Sequence, residues 1–138
     1  MKKSLVIGII LLIFASLALG GYFLLNTIFP MAAPVKLPAL ESIQTVTVSF
    51  DDGDSVFIQE SDLQELLQLI QNVSPTRNQS WNDFPDVRPY YTLEFQTETR
   101  FFRYFVYTKG YRVYLESPYE GIYYTGDPLL LFLLRYTG

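Results

Sequence analysis

Asp51, Asp52 and Asp54 stand around Gly53, and clustered carboxylate oxygens are what a hard cation such as calcium takes. A calcium loop needs ligands at alternate positions, a glycine at the sixth and a glutamate at the twelfth, and this segment supplies none of that layout. A hairpin turn is the better reading. Asp83 and Asp86 form a second pair, and two carboxylates at the right separation hydrolyse glycosides. With fourteen acidic residues in the chain, the existence of some such pair says little. Ser61, Ser74, Ser80 and Ser117 are candidate nucleophiles, but no histidine is present to activate them, and a serine-lysine dyad would have to draw on Lys36 or Lys109.

The missing residue types exclude more than the present ones suggest. Without histidine there is no Ser-His-Asp triad and no familiar zinc hydrolase pattern. Without cysteine there is no disulfide, thiol catalysis, thiolate metal site or lipid on an N-terminal cysteine. No catalytic residue, cofactor-binding residue or metal ligand is therefore assigned, and no cofactor is expected. All fourteen acids follow Pro30, where they face eight basic residues, a net −6. That balance argues against nucleic acid, whose binding needs clustered positive charge.

The aromatic residues after Trp81 invite a carbohydrate reading, since flat rings stack on sugar faces. Alternation in strands instead puts Tyr91, Leu93 and Phe95 on one face, and Phe102, Tyr104 and Val106 likewise, where they build a core. The candidate binding surface is Asn82 and Asp83 with Tyr119, Glu120 and Gly121, because polar groups and a glycine at these places belong to loops.

These residues need a frame. Lys2 and Lys3 precede an uncharged run whose apolar part, residues 5–29, makes a helix of about 37 Å, enough to cross a bilayer core of about 30 Å with some tilt. The chain thus divides into a transmembrane anchor at 1–30, a Pro/Ala spacer at 31–40 built on Pro34 and Pro38, and an α+β domain at 41–138. The leading lysines place the N-terminus in the cytoplasm and the domain outside a cell membrane. The alternative is a secreted protein cleaved near Gly20, where Ala18-Leu19-Gly20 offers small residues to a signal peptidase. Cleavage there would leave Tyr22, Phe23, Leu24 and Leu25 as an apolar tail, which favours the uncleaved anchor.

In the outer region, alternation over residues 43–50 and 55–59 around the aspartate turn reads as a β-hairpin. Ser61 as N-cap with Gln64 completing a capping box opens an amphipathic helix over 62–73, carrying Leu63, Leu66, Leu67, Ile70 and Val73 on one face. Residues 74–89 form a long loop rich in proline and asparagine. Strands at 90–96, 100–108 and 111–116 follow as a meander, then a short edge strand at 122–125. Asp127 as N-cap with Pro128 at the first helical position opens a short helix over 129–135. The pattern predicts an antiparallel sheet of five or six strands, with an amphipathic helix after the second and a short C-terminal helix.

On residues 43–48, Ser74-Pro75-Thr76, Asn82-Asp83, Pro85, residues 90–95, and above all the run from Tyr114 to Tyr123 that contains Glu116-Ser117-Pro118-Tyr119-Glu120-Gly121, the outer region resembles the domain of unknown function 5301 family, short membrane-anchored proteins mostly of Gram-positive bacteria. The additional aromatics at Trp81, Phe84, Phe101 and Phe102 depart from that pattern. The resemblance implies fold and location but no activity. The function expected is a membrane-tethered extracytoplasmic interaction module, not an enzyme, that binds a membrane protein or envelope component. The alternative is a carboxylate-dependent enzyme acting on an envelope glycan or peptide.

Overall fold

A computed structural model of the chain describes residues 2–138, which form two compact units parting between Met31 and Ala32. In the first unit, helix α1 spans Lys3–Ile28, 26 residues and about 39 Å. None of its side chains is buried. The hydroxyls of Ser16 and Thr27 donate to the carbonyls of Leu12 and Phe23, at 2.8 and 2.9 Å, so neither leaves a free donor on the apolar surface. By length and composition this helix is long and apolar enough to cross a membrane, a property that membrane anchors and signal sequences share.

The second unit is an antiparallel sheet with two helices on one face. Its strands are β1 (Ile43–Phe50), β2 (Val56–Phe57), β3 (Ser74–Pro75), β4 (Tyr91–Thr97), β5 (Phe101–Lys109), β6 (Arg112–Ser117) and β7 (Gly121–Thr125), in the order β2-β1-β4-β5-β6-β7-β3. Helices α2 (Leu63–Gln71) and α3 (Asp127–Thr137) bury Leu66, Ile70, Phe132 and Leu133 against Val48, Leu93, Phe95, Tyr104, Val106 and Leu115 from alternate positions of the strands. The faces assigned to Tyr91, Leu93, Phe95, Tyr104 and Val106 are therefore core, and the expected α+β arrangement holds.

Several local expectations are corrected. There are seven strands, because Ser74 and Pro75, read as loop, pair with Tyr124 and Tyr123 at the far edge. Ser61 does not cap α2: a 3-10 turn over Glu60–Asp62 comes first, and the N-cap, Asp62, makes no side-chain capping bond. Its carboxylate is instead taken by the Tyr136 hydroxyl of α3, a tertiary contact that competes with the local cap. The helix ends at Gln71, short of Val73. In α3 Asp127 is already helical and Gly126 is the N-cap, which moves Pro128 one place inward, still within the first turn where its missing N–H costs nothing.

The segment expected to stand free as a spacer is an arm packed on the domain. Ala32, Val35 and Leu37 lie against the main core and Pro38 is buried. The arm's backbone is held at several points: Ala32 donates its N–H to the Thr76 carbonyl at 3.0 Å, and the carbonyls of Ala33 and Lys36 accept the hydroxyls of Tyr123 and Tyr104. Proline's extended backbone, read as stiffness, here leaves carbonyls free for tyrosines from the sheet.

Candidate functional site

The sheet's second face is covered in part by the long loop between β3 and β4. Tyr90, Phe105 and Tyr107 form a small second core there, with Val87 and Tyr114 against it, and Phe84 closes on Phe105 at 5.8 Å between ring centres. Beneath the loop lies Glu116, only 4% exposed. Its two oxygens accept the hydroxyls of Ser80, at 2.6 Å, and Tyr107, at 3.0 Å. Burial, with Glu116 beside it, pushes the Tyr107 hydroxyl well above the ordinary tyrosine range, so it stays a donor. These bonds join the loop to β5 and β6.

The strands β6 and β7 are joined by a tight turn in which Glu120 donates its N–H to the Ser117 carbonyl at 3.0 Å. Pro118 occupies its second position and Tyr119, at φ +61°, its third. A positive φ at that position belongs to a type II turn and normally calls for glycine or asparagine. For a tyrosine it is an outlier, of the kind that persists only where surroundings enforce it. The hairpin closes around it through the pairing of Ser117 with Gly121, and the Tyr119 hydroxyl donates to Asp83 Oδ1 of the long loop at 2.7 Å, a bond that raises its pKa above the usual value.

Among the residues singled out from sequence, the structure joins Asp83 to Tyr119 and leaves the other three in different settings. Asn82 donates its amide to Asp86 Oδ1 at 3.1 Å within its own loop. Glu120 accepts the Ser117 hydroxyl at 3.0 Å and pairs with Lys36 of the arm at 2.9 Å. Gly121 is buried against Ala32, where an added Cβ would lie 2.5 Å from the alanine methyl. It is a packing position.

What sequence reasoning passed over is the exposed aromatic surface around the Asp83-Tyr119 bond. Trp81 is 74% exposed, Phe84 53% and Tyr119 65%, all on two loops pinned together. The additional aromatics Trp81 and Phe84 were the available signal. At the aspartate turn, Arg88 spans Asp51 and Asp52, donating at 2.9 and 2.7 Å, and among the described residues no cluster suits a metal ion.

The architecture defines a small α+β domain preceded by an N-terminal apolar helix. Residues 31–124 match the family model DUF5301, a domain of unknown function (DUF5300), and the chain belongs to this family. The match takes in the arm and the sheet up to Tyr124 in β7, and stops before α3. The fold is similar to that of a protein from Ruminococcus gnavus solved by NMR, with a TM-score of 0.58 and 25% identity over 67% of this chain and 91% of that one. No curated protein matches the chain.

Proposed function

We propose that the chain is a membrane-tethered interaction module, with α1 as an uncleaved anchor, its N-terminus in the cytoplasm, and the α+β domain outside, docking a neighbouring membrane or envelope protein through the Trp81, Phe84 and Tyr119 surface. The observation that carries this reading is the combination at Tyr119: a large exposed aromatic at a positive φ, bonded through its hydroxyl to Asp83, whose loop also carries the exposed rings of Trp81 and Phe84. Rigid aromatic anchors lose little conformational freedom on docking, and interfaces concentrate binding energy in them. The lysines before α1 support the orientation, and the fourteen acids of the outer part keep it soluble. A non-catalytic role is supported by Glu116, whose two oxygens are already taken by hydroxyls inside the domain.

Membrane fractionation and protease shaving test the anchor: the chain should resist alkaline extraction and lose its domain to protease added outside intact cells. Crosslinking of a C-terminally tagged full-length chain in the cells that make it, followed by purification from membranes, tests the docking. A dominant adduct lost in Trp81→Ala and Tyr119→Gly is expected; an adduct indifferent to both would overturn the assignment of the surface.

A further inference from the structure

Strand β5 is longer than its neighbour. It pairs with β4 from Phe101 to Val106, but its pairing with β6 begins only at Phe105 and Glu116. The ladder stops there because the residue that would face Arg103 is Pro118, which has no N–H to give, and the chain then turns. The two-residue hairpin at Gly110 and Tyr111 fixes which backbone groups point outward: Lys109 pairs with Arg112, so odd-numbered residues of β5 aim their N–H and C=O toward β6. The N–H and C=O of Phe101 and Arg103 consequently face an open edge of about four residues, roughly 13 Å.

That edge lies in a cleft of about 320 Å³ lined among others by Lys36, Arg100, Phe101, Arg103, Pro118 and Glu120. Three of the eight basic residues of the outer region line it: Lys36 pairs with Glu120 at 2.9 Å and Arg103 with Glu94 at 2.7 Å, which leaves Arg100 as the uncompensated cation of the cleft. Lys36 keeps its side chain 74% exposed even while paired with Glu120. Arg100 is set over the Phe102 ring at 5.1 Å and has no carboxylate partner among the described residues. Phe101, 68% exposed, adds an apolar surface on the opposite side of the strand. Unpaired edges are templates for an added strand, with main-chain bonds giving affinity and alternate side chains specificity.

We infer that the open edge of β5 takes an extended acidic segment of a partner protein, which adds a strand in line with β6 and sets its carboxylates against Arg100 and Lys36. This deepens the proposed function and rests on it. A second copy of the chain is the less suitable occupant, since it would bring the same cations face to face.

The test uses the full chain in detergent, with amide exchange read residue by residue, alone and with a millimolar blocked octapeptide of alternating glutamate and valine. In the free protein Phe102 and Tyr104 should exchange slowly and Phe101 and Arg103 fast. The acidic peptide should slow the latter two by about tenfold or more, and a lysine-valine peptide should not. Phe101→Pro, which removes one outward N–H, should abolish the effect while Leu93 and Phe95 stay protected; Arg100→Glu should weaken it. No slowing, equal slowing by both peptides, slowing that survives Phe101→Pro, or slowing that follows protein concentration without peptide would each overturn the inference. Capture in cells separates this from the broader reading. An adduct sensitive to Trp81→Ala but not to Phe101→Pro and Arg100→Glu sinks the strand addition alone, and an adduct insensitive to all of these sinks both.

Discussion

Replacing Gly121 by alanine should push the arm back from β7, and replacing Ala32 by glycine as well should let it return. Gly121 does not have a positive φ, so alanine brings no backbone strain and the whole effect is steric. The new methyl would stand 2.5 Å from Ala32 Cβ, whereas carbon atoms rest about 3.5–4.0 Å apart, so the arm must retreat by about 1 Å. Overpacking of this kind costs about 1–3 kcal/mol, and in a domain of this size each kcal/mol lowers Tm by roughly 4–8 °C. With Ala32→Gly also present, the nearest atoms to the new methyl are the Tyr123 hydroxyl at 3.4 Å and the residue 32 Cα at 3.6 Å, both ordinary contacts. The double variant should recover most of the loss, less about 0.5–1 kcal/mol for a glycine in the arm. Thermal unfolding of wild type, both single variants and the double variant, followed by near-ultraviolet circular dichroism, gives the coupling directly. Additive effects would refute the packing of the arm against β7 and restore the free spacer.

Tyr119→Gly should leave stability unchanged or raise it by up to about 1 kcal/mol, because glycine relieves the left-handed backbone while the lost bond to Asp83 is solvent-exposed; denaturant titration reads it. Glu116→Ala should destabilise by about 3 kcal/mol, since it strands the hydroxyls of Ser80 and Tyr107, and Glu116→Gln by less because it keeps one acceptor; the same titration compares them. Leu133→Ala, at a fully buried position of α3, should cost about 2–5 kcal/mol. Stability should fall in alkali: Tyr104, Tyr107 and Tyr123 have pKa values raised chiefly by burial, so the unfolded chain releases protons first as pH passes about 10, and their contribution, complete below that, is lost above it. A flat unfolding free energy between pH 9 and the onset of chain hydrolysis would contradict this.

The fold was legible wherever one face of an element met the core. Alternation in β1 and β4 and the leucine stripe of α2 report burial on one face, while β5, buried on both faces from Tyr104 to Tyr107, shows itself by its aromatic and β-branched content, and these elements appear within a residue or two of their predicted places. Capping was misread where a long-range partner outbid the local one, as Tyr136 does for Asp62. The arm was misread because proline and alanine look the same in a free spacer and in one whose carbonyls meet tyrosines far along the chain. Glu116 falls at a position whose alternation reads as solvent-facing, and only the loop folding back with Ser80 buries it. Of the candidate site, the pairing of Asp83 with Tyr119 follows from loop chemistry, but Gly121 is explained by Ala32, which lies almost ninety residues away.

The most direct test of the central claim is site-specific photocrosslinking in intact cells, with the photoreactive residue placed at position 81 and, as a control, at position 68 on the exposed side of α2. A discrete membrane-protein adduct from position 81 and none from position 68 is the outcome expected of a tethered docking module; equal labelling from both positions, or none from 81, would contradict it.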